Sequence, residues 1–161
     1  MNSNRNLIAT IFAKCASSNM QIVTAESCTG GLLASELTKL PGSSKFFNRG
    51  YVVYSNQSKV DLLNISEELI KRYGAVSSET VAAMAKNAAT LSNITNCISV
   101  AVSGVAGPEQ SEKKPVGLVW LAYHSRNKSI SEQLNFGSLS RQEIREKSTC
   151  EALKRLEKFL D

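Results

Sequence analysis

Ser27 stands in the turn Thr24-Ala25-Glu26-Ser27-Cys28-Thr29-Gly30-Gly31, and one helix-sized interval later the chain runs Gly50-Tyr51-Val52-Val53-Tyr54-Ser55-Asn56-Gln57-Ser58-Lys59. Together these segments offer a nucleophile, a phenol and an amine. A serine hydroxyl attacks an acyl carbon only when a neighbouring base takes its proton, and a lysine whose charged form is desolvated serves as that base near neutral pH. Lys59 is the candidate base, with Tyr54 relaying the proton or orienting the amine. The paired Gly30 and Gly31 let the backbone approach a ligand, and the N–H groups from Cys28 to Gly31 can face an anion or a developing oxyanion. The same residues have plainer uses. Ser27 and Thr29 suit a helix N-cap, Lys59 a solvated helix face, and Tyr54 an edge aromatic. Cys28, without a histidine partner, suits packing.

Other chemistries are excluded by what is missing. The chain has no GxxxxGK[ST] phosphate loop, no GxGxxG fingerprint and no GxSxG elbow, and His124 is its only histidine, which removes a Ser-His-Asp triad. Cys15, Cys28, Cys97 and Cys150 are far apart with no CxxC pair, so neither a zinc site nor any other metal or cofactor is expected. Two further SxxK matches, at Ser111 to Lys114 and Ser125 to Lys128, fall in loop or hairpin sequence and are set aside. A second glycine turn, Gly104-Val105-Ala106-Gly107-Pro108, ends the apolar run from Ile98 to Ser103. Ligands bind at such strand ends in open α/β sheets, and this turn with an arginine suits a phosphate group.

Apolar periodicity supplies the elements that must hold these residues. Helical spacing over 4–18, with Leu7, Ile8, Ile11, Phe12 and Cys15 on one face, precedes a strand over 21–25. Leu32, Leu33, Leu37 and Leu40 give a helix over 31–40 its inner stripe, and Pro41-Gly42 ends it. A strand over 50–54 leads to short helices over 57–63 and 67–73, the latter stopped by Gly74. Ser77 or Ser78 caps a helix reaching about Leu91, with Val81, Met84, Ala85 and Ala88 inward. After the strand over 98–103, strands over 117–124 and 129–136 joined at Arg126-Asn127 read as an antiparallel hairpin. Ser140 and Glu143 form a capping box for a last helix whose inner side is Ile144, Leu153, Leu156 and Leu160. This order predicts an α/β fold, a three-layer α/β/α sandwich around a mostly parallel mixed sheet with one antiparallel strand.

With 161 residues and 42% apolar content, the chain can bury one core, and a single domain over 1–161 is expected. No run approaches the roughly 20 apolar residues of a membrane span. The net charge of +5 is spread along the chain without an RNA-binding aromatic signature, which argues against nucleic acid and for a small phosphorylated substrate. Unpaired cysteines and the absence of a signal-peptide core point to a reducing cytoplasm. A homo-oligomer is expected because small α/β enzymes often assemble symmetrically.

Several blocks occur in order: Ala25 to Gly31, Pro41-Gly42-Ser43-Ser44, Val53-Tyr54-Ser55-Asn56 with Lys59, Gly74-Ala75-Val76-Ser77, Ser103 to Pro108 and Lys114-Pro115-Val116-Gly117. From about Leu7 to Leu160 the chain resembles the C-terminal domain of the competence/damage-inducible protein CinA. Stand-alone members of that family imply a metal-free amidohydrolase that converts nicotinamide mononucleotide to nicotinate mononucleotide and ammonia in pyridine nucleotide salvage. The resemblance implies Ser27 as nucleophile, Lys59 as base and Tyr54 as an assisting group. It places Ser103 and Arg145 against the substrate, with Arg141 as the weaker candidate; the residues themselves add the turn of Cys28, Thr29, Gly30 and Gly31, Asn56, and the turn of Gly104 and Gly107 as expected contacts. Two departures stand out: Glu109-Gln110-Ser111-Glu112 replaces the family's acidic-Gly-Gly, and Leu139-Ser140-Arg141 replaces its Gly-Asp-Arg. A non-catalytic interaction module linked to competence or DNA damage is the rival reading. Full CinA proteins carry a further N-terminal domain that this chain lacks, which favours the stand-alone enzyme.

Overall fold

A computed structural model describes residues 2–161, with side chains from Asn4 onward. Helix α1 (Asn2–Ser18) leads into strand β1 (Gln21–Glu26), helix α2 (Leu32–Leu37), a single 3-10 turn (Ser43–Lys45) and strand β2 (Phe47–Val52). Helices α3 (Asn56–Leu63), α4 (Glu67–Tyr73) and α5 (Ser78–Ser92) follow, then strands β3 (Cys97–Gly104), β4 (Leu118–Ser125) and β5 (Lys128–Asn135) and helix α6 (Arg141–Phe159). The five strands form one sheet in the order β2-β1-β3-β4-β5. β1 pairs in parallel with β2 and β3, while β4 pairs antiparallel with β3 and β5. Only β4 therefore runs against the others, as the alternating helix and strand pattern with its late hairpin requires.

Strand alternation assigns the helices to their layers. Ile22, Ile98, Val100, Val102, Val119, Leu121 and Tyr123 face α1, α2 and α6, where Ile8, Ile11, Leu33, Leu37, Ile144, Leu153 and Leu156 close the core. Val23, Ala25, Ala101 and Ala122 face the other way, onto Leu63 of α3, Ile70 of α4 and Val81, Met84, Ala85 and Ala88 of α5. Successive strand residues point to opposite faces, so the small Ala101 and Ala122 let α5 lie close to the sheet centre. Among the described residues, no helix is long and apolar enough to cross a membrane.

Helix ends follow local chemistry. Ser66, Ser77 and Ser140 accept amide hydrogen bonds as N-caps of α4, α5 and α6, and Ser140 with Glu143 closes a full capping box, each such cap contributing about 1 kcal/mol. Gly74 ends α4 at φ 84.

Two boundaries depart from the apolar pattern. α2 stops at Leu37 because Thr38 turns its hydroxyl back onto the carbonyls of Ala34 and Ser35. β2 starts at Phe47 and stops at Val52, so Tyr54 belongs to the connection and not to the strand. Its segment Phe47-Asn48-Arg49-Gly50 carries no apolar alternation, being the exposed outer strand that parallel pairing with Ile22 to Glu26 holds in place.

From β1 the chain crosses to β2 on one side and then returns to β3 on the other. That reversal opens a crevice at the carboxyl ends of β1 and β3. Ser27 follows β1 and the Gly104 turn follows β3, so both glycine-bearing turns meet there.

Candidate active site

The alternation of β1 continues through its last residues and sends neighbouring side chains to opposite layers. Glu26, fully buried, faces α2. Its Oε2 accepts from Thr29 Oγ1 at 2.7 Å and from the amides of Gly31 and Leu33 at 3.0 Å, and its Oε1 accepts from Ala34 N at 2.8 Å. Gly31, the residue before α2, has no side chain to cap that helix. Glu26 does so from outside, which satisfies a carboxylate that would otherwise be buried without donors.

Ser27 faces the opposite layer. Its amide extends the ladder to Val102 O at 2.9 Å, and its Oγ lies 3.0 Å from Lys59 Nζ of α3. Lys59 is 1% exposed. The amine also donates to the carbonyls of Val53 at 2.8 Å and Tyr54 at 3.2 Å, with Ser55 O at 3.5 Å. Burial pushes its pKa down from 10.5 to about 8, against small opposing pulls from Cys28 and Glu112. A neutral amine has two N–H donors and one lone pair. With Val53 O and Tyr54 O taking the donors, the lone pair is left for the Ser27 hydroxyl. A serine so placed can be deprotonated as it attacks.

Cys28 is buried, and burial raises its thiol to about 12. It packs in the core beside α6 and offers no thiolate.

A cavity of about 420 Å³ opens over this pair, lined among others by Ser27, Tyr54, Lys59, Ser103, Glu112 and Arg141. Cys28, Asn56, Gly104 and Gly107 also border it. Gly104 is required for packing as well, since a Cβ there would sit 2.9 Å from Leu118 O and 2.6 Å from the Val119 side chain. Ser103 is buried and gives its hydroxyl hydrogen to Ala75 O at 2.7 Å.

Other expected contacts fall elsewhere. Thr29, Gly30 and Gly31 do not reach the cavity. Thr29 is fully buried on Glu26, the Gly30 amide donates to Ser27 O at 3.0 Å, and the Gly31 amide is taken by Glu26. A helix start whose amides are capped internally has none left for an anion. Among the described residues, the amides of Cys28 and Thr29 are the ones in this turn with no acceptor bonded. Arg145 lies behind the turn, with Nε on Cys28 O at 3.1 Å and Nη2 on Thr29 O at 3.0 Å. It holds backbone rather than lining the cavity. Arg141, one helical turn earlier, is the arginine at the cavity, with Nη1 on Gly107 O at 2.7 Å and Nη2 on the Tyr54 hydroxyl. Tyr54 is 55% exposed and its hydroxyl pairs with Arg141. Lys59 is met by the Tyr54 carbonyl instead of its phenol.

Three contributions lie outside the sequence candidates, and only one of them carries a local signal. A carboxylate closing an apolar strand just before a helix, as Glu26 does, implies that it takes helix amides. Glu112 and Lys114 have no such cue, because their partners lie far back in the chain: Glu112 accepts from Ala75 N at 2.9 Å and Val76 N at 3.3 Å, and Lys114 donates to Tyr73 O at 2.9 Å and to Val76 O. The loop that departs from the family pattern is thereby tied down, ending in a two-residue turn with Glu112 and Lys113 at positive φ and reciprocal bonds between Ser111 and Lys114.

Fold and site together define an α/β/α domain with a buried serine–lysine pair at the carboxyl edge of its central strands. The family model of the CinA C-terminal domain matches residues 4–160, and the chain belongs to that family. It is 46% identical over 136 residues to the nicotinamide-nucleotide amidohydrolase PncC of Pseudomonas putida, an alignment covering 84% of this chain and 83% of that protein. A CinA-like protein of Colwellia psychrerythraea is 53% identical over 108 residues, 66% of this chain but 24% of that protein, so the match spans about a quarter of that relative's length. The crystal structure of a competence or damage-inducible protein from Enterobacter asburiae superposes with a TM-score of 0.93 at 31% identity, covering all of both chains.

Proposed function

We propose that this protein hydrolyses the carboxamide of nicotinamide mononucleotide to nicotinate mononucleotide and ammonia, a step of pyridine nucleotide salvage. The observation that carries the reading is the 3.0 Å contact between Ser27 Oγ and a buried Lys59 whose pKa is lowered to about 8. The name of the Pseudomonas putida relative supports the substrate. A purely interacting module offers no reason to bury an amine against a hydroxyl, given the several kcal/mol that such desolvation costs.

Ser27 Oγ attacks the carboxamide carbon while its proton passes to neutral Lys59. The amide oxygen becomes an oxyanion, met by the N–H group of Cys28, in a turn that Arg145 braces from behind through the carbonyls of Cys28 and Thr29. Collapse of the tetrahedral intermediate breaks the C–N bond as Lys59 returns the proton to the leaving nitrogen, releasing ammonia and leaving a nicotinoyl ester on Ser27. Water then attacks the ester, Lys59 takes its proton, and the proton ends on Ser27 Oγ as the carboxylate departs. Arg141, braced between Gly107 O and the Tyr54 hydroxyl, supplies the charge for the 5′-phosphate. Tyr54 assists through its carbonyl on Lys59 and its hydroxyl on Arg141.

The test is ammonia and nicotinate mononucleotide release from nicotinamide mononucleotide by the purified protein beside Ser27→Ala and Lys59→Ala. Turnover by the parent and its loss in both variants is expected. A folded parent without turnover would reject the reading, and an active Ser27→Ala would reject the nucleophile.

A further inference from the structure

The loop over 109–114 and the segment Gly74-Ala75-Val76 form one wall of the cavity, and a single carboxylate joins them. Glu112 Oε1 accepts from Ala75 N at 2.9 Å and Oε2 from Val76 N at 3.3 Å. Lys114 reinforces the join from Tyr73 O and Val76 O. The fit is close: a Cβ on Gly74, at φ +84, would lie 2.3 Å from Glu112 Oε2 and would have to push the carboxylate off its amides. Between its two amides the clamp fixes the Ala75 peptide, and the carbonyl of Ala75 accepts from Ser103 Oγ at 2.7 Å.

That last contact sets a polarity. A hydroxyl carries one hydrogen and two lone pairs, and a carbonyl can only accept, so the Ser103 hydrogen is committed to Ala75. What Ser103 shows the cavity is acceptor only. Ser103 stands beside Ser27 across the parallel β1–β3 ladder, where Glu26 pairs with Val102, and neighbouring strands are about 4.8 Å apart. A carboxamide held for attack by Ser27 therefore lies within reach of Ser103. A carboxamide brings N–H donors to that position and a carboxylate brings none.

Resting on the reading of this cavity as a carboxamide hydrolase site, we propose that Glu112 is a positioning residue: by clamping Ala75 it locks the Ser103 hydroxyl as an acceptor, which favours the carboxamide substrate over the carboxylate product. The clamp thus favours product release as well as substrate choice. Freed from it, the Ser103 hydroxyl turns and donates to a carboxylate.

The experiment measures equilibrium dissociation constants of nicotinamide mononucleotide and nicotinate mononucleotide in a Ser27→Ala background, where no turnover interferes. That protein is expected to bind the carboxamide about fivefold more tightly than the carboxylate, the size of one neutral hydrogen bond. Adding Glu112→Ala collapses the preference, and so does adding Ser103→Ala. Adding both does no more than either alone, because the two act through one hydroxyl. A merely structural role for Glu112 weakens both ligands alike, and that result overturns the proposal. A full effect of Glu112→Ala in the Ser103→Ala background also overturns it, since the carboxylate would then act by its own charge. A preference found in a protein whose parent releases no ammonia sustains the positioning role while rejecting the hydrolase reading. Turnover by the parent without any preference does the reverse.

Discussion

Replacing Lys59 by methionine tests whether the amine is as desolvated as its surroundings dictate. In the unfolded chain the side chain titrates at 10.5, and in the folded protein burial lowers that to about 8. Between those values the unfolded state holds the proton and the folded state has released it. The unfolded state therefore binds more protons, and stability rises with pH through this window. Below about pH 8 the folded protein carries the full penalty of a buried ammonium, which for the gap between 10.5 and about 8 is about 3 kcal/mol. Above 10.5 the penalty is gone. Integrated from about pH 7 to about pH 10, the wild type gains about 2 to 3 kcal/mol relative to Lys59→Met. In midpoint temperature this is about 5 to 10 °C for a chain of this size.

Urea unfolding followed by the fluorescence of Trp120, the only tryptophan, measures both proteins across the range. Subtracting one curve from the other cancels the groups common to both. The neighbouring Cys28 thiol, raised to about 12, stays protonated throughout most of this range. Methionine matches the lysine stem in length, so the comparison leaves the packing of α3 on the sheet in place. A difference that does not change with pH would mean that Lys59 titrates as an exposed lysine, and the argument for it as a base would fail.

Three further outcomes follow from the same geometry. The rate constant kcat/KM for carboxamide hydrolysis should rise with pH and level off above about 8, because the base is active only when neutral; a profile already flat from about pH 6 upward would refute a lysine base whose pKa burial lowers to about 8. Glu26→Ala leaves the amides of Gly31, Leu33 and Ala34 without their acceptor, and should cost about 3 to 5 kcal/mol in urea unfolding, whereas a loss below about 1 kcal/mol would show that water replaces the carboxylate. The two arginines should separate in steady-state kinetics: Arg145→Met, which releases the carbonyls of Cys28 and Thr29, lowers kcat about tenfold or more with KM little changed, while Arg141→Met, which empties the cavity of its guanidinium, raises KM about tenfold or more.

Much of this protein is legible without coordinates because its signals are local. Strand β3 is a mostly apolar run broken only by Ser99 before its Ser103-Gly104 end, the serines at positions 77 and 140 cap the helices they precede, and Arg126-Asn127 closes the hairpin. Alternating helix and strand then leaves few topologies. The pairing of Ser27 with Lys59 is an inference of the same kind, since each follows a strand that must end at the same edge of a parallel sheet.

What only the tertiary structure decided is the direction of each group and the partner it spends its hydrogen bonds on. Residue types name Ser27, Thr29, Gly30 and Gly31 alike as site candidates, yet buried Glu26 draws Thr29 and Gly31 inward and leaves Ser27 facing the cavity. Two arginines one helical turn apart are equivalent by composition; the rotation of α6 against the sheet puts Arg145 behind the turn and Arg141 at the opening. Tyr54 turns its phenol to Arg141 and its carbonyl to Lys59 because β2 ends at Val52. The physical reason is common to these cases. Local sequence sets which backbone conformation is cheap, but a buried polar group must find its complement wherever packing delivers one, and for Glu26, Lys59 and Glu112 that complement comes from another element.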